Sequence, residues 1–232
     1  MVKAIIAAAG MGTRLIPITL EKPKCLLKIN GKEIIHHQIE ILNKLGIKDI
    51  IVVTGYLEDM IKNLLGSKVS YVSNKRYSET NSSYSFRLAI EETDESFIYI
   101  NSDLLFTETM LNSLLVSNAQ NCMLIDTSEF NREDMFKIQL VNGQIKQLSK
   151  DIDISLSDGA AVGPVKFSGS SVKSIISLID HYIRMGDEQK WFYTIVDEMA
   201  DMFNIVSVDI KGEKWFEIDD IDDLDECRSF YS

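Results

Sequence analysis

Cysteine, histidine and long apolar runs are scarce in this 232-residue sequence, and each scarcity excludes a class of protein. Its cysteines, Cys25, Cys122 and Cys227, are far apart and form no CxxC pair, so neither a disulfide framework nor a zinc site is indicated. The three histidines form no metal-binding motif. No apolar run approaches the roughly 18 residues that a transmembrane helix needs. We therefore expect a cytoplasmic protein with reduced thiols and no membrane insertion.

Positive charge is also in deficit, since the formal net charge is −11. Nucleic-acid binding requires basic patches, so the charge argues against nucleic acid as a main partner. The charges are unevenly distributed: residues 1–28 contain five basic residues and one acid, whereas residues 213–226 contain eight acids and one lysine. These segments either face each other across a site for a polyanion and its metal, or form two solvated surfaces. The charge pattern alone does not choose between the two interpretations.

Apolar patterning in the first half alternates between buried strands and amphipathic helices. Residues 2–9 form a nearly continuous apolar run, which is typical of a strand buried on both faces. The same criteria predict helices over 32–45, 56–66 and 82–92, and further strands over 47–55, 68–74 and 96–103. This alternation predicts right-handed crossovers and a mainly parallel sheet with helices on both faces.

The second half is less regular. Asn142-Gly143 suits a two-residue primed turn, so residues 135–149 predict a β-hairpin. We predict further strands over 121–127, 160–168, 204–210 and 214–218, and helices over 170–185, 190–203 and 219–230. The fold class is therefore α/β, a three-layer sandwich with a mostly parallel sheet and a smaller mixed lobe from the second half. We expect one domain over residues 1–232.

The strongest local motif lies in residues 7–35, where a glycine-rich loop follows the first strand. Small residues at positions 7–10 allow backbone N–H groups to approach a base or a phosphate closely. Arg14 can bind two phosphate oxygens with its planar guanidinium, and Lys24, directly after a proline, adds a compact positive charge. The motif therefore indicates recognition of a phosphorylated ligand.

Two other phosphate-binding motifs fit this loop less well. A dinucleotide-binding fingerprint requires GxGxxG opening directly into a helix, but Leu15 stands where the third glycine belongs. Pro17 and Pro23 are then expected to hold the segment out of a helix. The Walker sequence GxxxxGK[ST] is absent. A glycine-rich surface loop without function is the remaining alternative.

Asp103 ends the predicted strand over 96–103, at the carboxyl end where open α/β sheets bind ligands. Magnesium prefers a few carboxylates together with water and substrate phosphates, so Asp103 is a candidate metal ligand. The structural alternative is that Asp103 caps the next helix, but Thr107 suits that role better. Glu217 and Asp219 are also candidate ligands, and their alternative role is that of ordinary acids at a helix start.

The spacing Gly10-x-Gly12-x-Arg14-Leu15, followed by Pro23-Lys24, resembles the signature of the nucleotidyltransferase (pyrophosphorylase) superfamily. Residues 74–85, 102–105 and 215–220 are similar to segments of its phosphocholine and 2-aminoethylphosphonate cytidylyltransferase branch. The resemblance covers the whole chain. It implies a glycosyltransferase-A-like, Rossmann-type sheet and a Mg²⁺-dependent transfer of CMP from CTP to a small phosphorylated alcohol or phosphonate, with release of pyrophosphate.

The resemblance also implies roles for individual residues. Arg14, Lys24 and Asp103 would be catalytic, with Arg14 on the triphosphate and Lys24 bridging the reacting phosphates. Asp103 would bind Mg²⁺ together with Glu217 or Asp219, and the spacing does not choose between these two. The nucleotide would lie along residues of the loop and of the segment near position 80: Ala7, Ala8, Ala9, Gly10, Gly12, Asn81, Ser82 and Ser85. Residues 1–120 would bind the nucleotide and residues 121–232 the acceptor.

The acceptor side is less defined. Candidate acceptor-binding residues are Tyr84, Lys150, Trp191, Tyr193 and Trp215. Aromatic rings and a carboxylate suit a quaternary ammonium such as that of phosphocholine, although we expect at least half of these aromatics to be structural. Phosphoglycerol, phosphoglutamine and inositol phosphate remain open as acceptors. So do a sugar-1-phosphate nucleotidyltransferase using UTP or dTTP, and a catalytically silent nucleotide-binding subunit. The sequence leaves open whether the protein is a homodimer.

Overall fold

The computed structural model describes residues 2–90, 95–128 and 134–231. Within these ranges the strands are β1 (Val2–Ala8), β2 (Lys28–Ile29), β3 (Lys32–Glu33), β4 (Ile50–Thr54), β5 (Ser70–Ser73), β6 (Ser96–Asn101), β7 (Leu104–Leu105), β8 (Asn121–Asp126), β9 (Lys137–Val141), β10 (Gln144–Ser149), β11 (Gly159–Phe167), β12 (Ile205–Asp209) and β13 (Phe216–Glu217). The helices are α1 (Ile18–Glu21), α2 (Ile34–Lys44), α3 (Glu58–Leu65), α4 (Ser82–Ala89), α5 (Glu108–Val116), α6 (Gly169–Arg184), α7 (Phe192–Met202) and α8 (Ile221–Phe230).

The apolar runs of the first half form the parallel part of a nine-stranded sheet, in the order β5-β4-β1-β6-β11-β8-β12-β10-β9. β1 lies between β4 and β6 and is parallel to both. Its residues Ala4, Ile5 and Ile6 are almost fully buried, as expected for a strand covered on both faces. The carboxyl ends of these parallel strands meet at one edge of the sheet, which is where α/β folds bind ligands.

Two apolar clusters cover the two faces of the sheet and form the three layers. On one face, Ile35 and Ile39 of α2, Ile61 of α3 and Leu114 of α5 pack against the strands. On the other face, the packing residues are Phe86 of α4, Val172 of α6, and Phe192 and Val196 of α7. A third, smaller cluster lies under α8. The predicted three-layer α/β class is confirmed. In the described ranges, no helix combines the length and apolar content that a membrane span requires.

The second half makes its share of the sheet mixed. β11 is antiparallel to β6 and β8, whereas β12 is parallel to β8. The predicted hairpin forms from β9 and β10, with Asn142 and Gly143 in the left-handed region at φ 53° and 74°. Both positive φ values are those that a type I′ turn requires, which is why Asn-Gly identified the turn correctly.

Most predicted helix bounds differ by one or two residues from those observed. The prediction over 82–92 gave α4, which ends at Ala89, and residues 91 and 92 lie outside the described ranges. The segment around residues 10–24 is not free of helix, because α1 forms directly after Pro17. A proline tolerates the first turn of a helix, since its missing N–H would be unpaired there anyway. Pro23 then keeps Lys22 extended, and α1 ends.

Candidate active site

A cavity of about 350 Å³ opens at the carboxyl ends of β1 and β6. This volume falls at the lower end of the roughly 300–1,000 Å³ that small-molecule sites occupy. The cavity is lined by the glycine-rich loop, the segment before and within α4, the turn after β6, the segment around β13, and residues of the second half of the chain. The segments that the sequence singled out separately therefore surround one space.

The glycine-rich loop forms one wall of the cavity. Gly12 adopts φ 62°, and a Cβ atom there would lie 3.2 Å from the Cβ of Lys24 and 3.2 Å from the Cγ2 of Thr19. The hydroxyl of Thr19 donates to the carbonyl of Gly12 at 2.9 Å, and Tyr56 donates to the carbonyl of Thr19 at 2.9 Å. These contacts fold the loop back on itself. The predicted nucleotide-binding residues of this wall all line the cavity: Ala7, Ala8, Ala9, Gly10 and Gly12.

Lys24 lies between two carboxylates at the base of the loop. Its Nζ is 2.7 Å from Oδ2 of Asp103 and 2.7 Å from Oδ1 of Asp219. Burial alone would lower the pKa of Lys24, but the charges of Asp103 and Asp219 outweigh it and raise the pKa above its ordinary value. Lys24 is therefore a fixed, permanently charged ammonium at the cavity floor.

Three carboxylates converge beside this ammonium. Oxygen atoms of Asp103, Glu217 and Asp219 all lie within 4.8 Å of one another. The backbone brings them together, because β13 pairs with β7 and the N–H of Ile218 donates to the carbonyl of Asp103 at 3.1 Å. The spacing had left Glu217 and Asp219 as alternatives, and the fold brings both to Asp103.

The electrostatics of this triad suit a divalent cation. Burial, followed by the charges of Asp103 and Asp219, raises the pKa of Glu217 to about 8. Oδ1 of Asp103 is buried, and among the described residues it has no hydrogen-bond partner. An ion with oxygen ligands would supply the missing partner and relieve the repulsion between the acids. The residues present therefore fit Mg²⁺.

Arg14 extends along the cavity from the loop. Its guanidinium lies 2.7 Å from Asp219 and 3.6 Å from Asp134, and its side chain is about half exposed. Burial raises the pKa of Asp219, but Lys24 and Arg14 outweigh this effect and lower it below the ordinary value. Arg14 and Lys24 thus bind the two carboxylate oxygens of Asp219 and place two positive charges beside the acidic triad.

The predicted residues around position 80 lie opposite the loop and line the cavity. Asn81 caps α4 by accepting from the N–H of Ser82 at 2.8 Å. The hydroxyl of Ser82 accepts from the N–H of Phe192 at 2.8 Å, and that of Ser85 accepts from the side-chain amide of Asn74 at 3.0 Å. These hydrogen bonds fix the wall and connect it to the segment that begins α7.

Three of the predicted acceptor residues, Lys150, Trp191 and Tyr193, line the far end of the cavity. The Nζ of Lys150 lies 5.1 Å from the centre of the Phe136 ring and 5.5 Å from that of Trp191. Tyr193 is buried, and its hydroxyl donates to the carbonyl of Gly163 at 3.1 Å. Here an ammonium group lies over two aromatic faces, which is an attractive arrangement.

The other two predicted acceptor residues, Tyr84 and Trp215, lie outside the cavity lining. Ser82 and Ser85 lie three residues apart on α4 and therefore share the helix face that lines the cavity. Tyr84 lies on a different face of α4, where the centre of its ring is 5.3 Å from the guanidinium of Arg76. The indole N–H of Trp215 donates to Oδ2 of Asp126 at 2.9 Å. The structure therefore gives both residues structural contacts.

Phe136 and Asp134 also line the cavity, and neither was predicted from the sequence as a site residue. The position of Phe136 could have been predicted from the register of the hairpin. Lys137 pairs with Ser149, so the preceding Phe136 lies opposite Lys150. For Asp134 the sequence offered no comparable signal.

The fold and the cavity define the class of the protein: a Rossmann-like α/β protein with a glycine-rich loop and an acidic triad at the carboxyl edge of its sheet. The chain belongs to the nucleotidyl transferase family, whose family model matches residues 3–131. The family that the loop signature predicted is thereby confirmed.

Individual relatives match over nearly the whole chain. The choline-phosphate cytidylyltransferase of Streptococcus pneumoniae is 32% identical, over 95% of this chain and 94% of the relative. The CTP:phosphoglutamine cytidylyltransferase of Campylobacter jejuni is 28% identical, over 96% of this chain and 97% of the relative. A solved structure of CTP:phosphocholine cytidylyltransferase from Streptococcus pneumoniae has a TM-score of 0.84 and 27% identity, and the match covers 100% of this chain and 99% of that one.

Proposed function

We propose that this protein transfers CMP from CTP to a small phosphorylated alcohol or phosphonate and releases pyrophosphate. The observation that carries the proposal is the position of Lys24, which bridges Asp103 and Asp219 at the floor of a cavity walled by a glycine-rich loop. Such a floor brings a fixed positive charge and a set of metal-binding oxygens to the same point, which phosphate-transfer chemistry requires. Relatives at about 30% identity that use CTP support the choice of nucleotide.

Arg14 and Lys24 supply the positive charge for the triphosphate. Backbone N–H groups of the loop can approach the nucleotide because the wall consists of alanine and glycine. Asn81, Ser82 and Ser85 face this wall across the cavity, which supports a role near the base or ribose. We assign nucleotide binding to residues 1–120, and the second half contributes Glu217 of β13 and Asp219, which follows that strand.

Asp103, Glu217 and Asp219 would hold Mg²⁺. Bound there, the ion would neutralise negative charge on the nucleotide phosphates. The remaining contribution belongs to the chain itself: Lys24 and Arg14 hold the phosphates in place and offset charge that develops on the departing pyrophosphate. Because Lys24 and Arg14 are already in place, their side chains need little reorganisation when the charge develops.

The reaction needs no covalent protein nucleophile. An oxygen of the acceptor phosphate forms a bond to the α-phosphorus of CTP, the bond from that phosphorus to the bridging oxygen of the β-phosphate breaks, and pyrophosphate leaves with that electron pair. The acceptor oxygen is already anionic, so a strong general base is unnecessary. Positioning and charge neutralisation account for such a step.

Lys150, Trp191 and Tyr193 form the acceptor end in this proposal. The ammonium of Lys150 is within the cavity lining and can pair with the phosphate of the acceptor. The relatives act on phosphocholine and on phosphoglutamine, which supports a small zwitterionic acceptor. The buried thiols of Cys25, Cys122 and Cys227 support a reducing, cytoplasmic location.

The test is pyrophosphate release by the purified protein with Mg²⁺ and with CTP, UTP or dTTP in separate assays. The acceptor panel consists of phosphocholine, 2-aminoethylphosphonate, phosphoglycerol, phosphoglutamine, inositol phosphate, phosphoethanolamine and glucose 1-phosphate. Release with an amino- or alcohol-phosphate supports the proposal and names the acceptor. Release only with the sugar phosphate, or only with UTP or dTTP, would overturn the choice of substrates. No release, together with CTP binding by calorimetry, would favour a silent nucleotide-binding subunit.

A further inference from the structure

Gln38 lies on α2, behind the turn that carries Asp103. Its side chain is 1% exposed. Its amide nitrogen donates to the carbonyl of Asn101 and to the carbonyl of Leu104, each at 2.8 Å. Both partners are hydrogen-bond acceptors, so the orientation of the amide is fixed: a flipped amide would place its oxygen against two carbonyl oxygens.

The two carbonyls that Gln38 binds bracket Ser102 and Asp103, the two residues of the turn after β6. The N–H of Ser102 donates to the carbonyl of Ala7 at 3.2 Å. The carbonyl of Asp103 accepts from the N–H of Ile218 at 3.1 Å. The backbone of the turn is therefore held by α2, by β1 and by the segment after β13. Among these contacts, those of Gln38 come from a side chain and the other two come from backbone groups.

Apart from these two hydrogen bonds, the side-chain amide of Gln38 makes no polar contact with the described residues that would explain its burial in the core. Its Oε1 is buried, and no hydrogen bond to another described residue reaches it. Burying an unpaired amide oxygen is unfavourable, and an apolar side chain of similar size would avoid that penalty. What an apolar side chain could not supply is the pair of hydrogen bonds that fixes the turn.

We propose that Gln38 is a positioning residue, which sets the Asp103 carboxylate for metal binding. This inference rests on the proposed function, because it takes Asp103 to be a metal ligand. Oδ2 of the carboxylate binds Lys24, whereas Oδ1 has no partner among the described residues, so the direction in which Oδ1 points depends on Lys24 and on the backbone that carries the side chain. Gln38 acts on that backbone from the side opposite the cavity. Groups that orient metal ligands typically change metal affinity by roughly 10–100-fold when they are removed.

The experiment measures the affinity of the full chain for Mn²⁺ alone by electron paramagnetic resonance, in the wild type and in Gln38→Met. Methionine matches glutamine in size but cannot donate. The control is Asn121→Leu, because Asn121 is another buried amide, whose oxygen accepts from Ser171 at 2.9 Å at the start of β8. Thermal unfolding of all variants separates loss of stability from loss of metal affinity.

We expect Gln38→Met to bind Mn²⁺ about tenfold or more weakly than the wild type. Asn121→Leu should keep wild-type affinity even though it loses stability. If Gln38→Met does not fold, Gln38→Asn replaces it, since the shorter amide stays polar but cannot reach both carbonyls. Wild-type Mn²⁺ affinity in the folded Gln38 variant, or an equal loss in Asn121→Leu, would overturn the positioning role.

A further variant, Asp103→Asn, distinguishes rejection of the positioning role of Gln38 from rejection of the proposed function. Loss of Mn²⁺ affinity in Asp103→Asn with unchanged affinity in Gln38→Met would reject the role of Gln38 and leave the metal assignment in place. Equal Mn²⁺ affinity in the wild type and Asp103→Asn would reject the metal assignment, and the role of Gln38 would be rejected with it.

Discussion

The Nζ of Lys24 lies 2.7 Å from Oδ2 of Asp103, so an ammonium of the loop already neutralises a carboxylate that is a candidate metal ligand. The same ammonium also binds Asp219. In the nucleotide-free protein, Lys24 and a divalent cation therefore compete for the same carboxylates. A bound triphosphate offers Lys24 and Arg14 another set of anionic oxygens, and this exchange would free the acids. Nucleotide and metal are expected to favour each other's binding for that reason.

Replacing Lys24 with methionine should have two effects of opposite sign. Turnover should fall by roughly 10²–10³-fold, because a fixed charge next to the reacting phosphates is lost. Mn²⁺ affinity of the nucleotide-free protein should rise by about tenfold, because the carboxylates lose their competing cation. Steady-state kinetics and paramagnetic resonance measure the two effects. Lys32→Met is the control, since Lys32 has a 2.7 Å ion pair with Glu40 far from the cavity. Unchanged metal affinity in Lys24→Met would contradict the competition.

Asp103→Asn should nearly abolish turnover without unfolding the protein. The amide preserves the shape of the side chain, and Lys24 retains its second carboxylate at Asp219. We expect a loss of at least about 10²-fold in kcat, the scale found when a charge-stabilising group is removed from an active site. Pyrophosphate release and circular dichroism are measured on the same sample. A folded variant with wild-type kcat would remove Asp103 from the mechanism.

Much of this site could be predicted from short-range patterns. Gly12, Arg14 and Lys24 belong to one loop whose composition already indicates phosphate recognition, and Asp103 follows a buried strand at the edge where such folds bind ligands. These predictions needed only the order of residues along a single strand and loop. The Asn142-Gly143 turn was identified for the same reason, because its backbone requirement is local.

The remaining features depend on long-range packing. Glu217 and Asp219 could not be ranked, because their approach to Asp103 depends on the pairing of β13 with β7, more than a hundred residues apart in the chain. The direction of Tyr84 depends on how α4 is rotated against the sheet. Trp215 was predicted to contact the acceptor from its aromatic character, and nothing in the sequence indicated its hydrogen bond to Asp126.

Lys150→Met should raise the KM for the acceptor and leave the KM for CTP unchanged. The lost interaction is a hydrogen bond between an ammonium and a phosphate, worth about 1.5–3 kcal/mol, so the expected increase is roughly 10–100-fold. Lys146→Met is a matched control, because Lys146 lies on β10, the strand that Lys150 directly follows, and pairs with the exposed Asp201. An equal rise in the KM for CTP would place Lys150 on the nucleotide instead.

Trp215→Phe should reduce stability without changing the KM for the acceptor. Removing the indole N–H leaves the buried carboxylate of Asp126 with one hydrogen bond fewer, at a cost of about 1–3 kcal/mol. Trp191→Phe provides the comparison, because Trp191 lines the cavity and is 49% exposed. Chemical denaturation and acceptor kinetics are run on both variants. A larger KM effect in Trp215→Phe than in Trp191→Phe would show that Trp215 contacts the acceptor.

Glu58→Gln should destabilise the protein near pH 7, and the destabilisation should fade in acid. Hydrogen bonds from Lys62 and Lys75 hold the pKa of Glu58 well below its usual range. A lowered folded-state pKa means that the wild type gains stability above the unfolded-state pKa, about 4.3, and loses it as the pH falls below that value. The free energy of unfolding is measured for both proteins between pH 7 and about pH 3. Asp59→Asn, in the same first turn of α3, controls for the interaction of an acid with the helix dipole. A difference between wild type and Glu58→Gln that stays constant across this range would show that ionised Glu58 does not stabilise the fold.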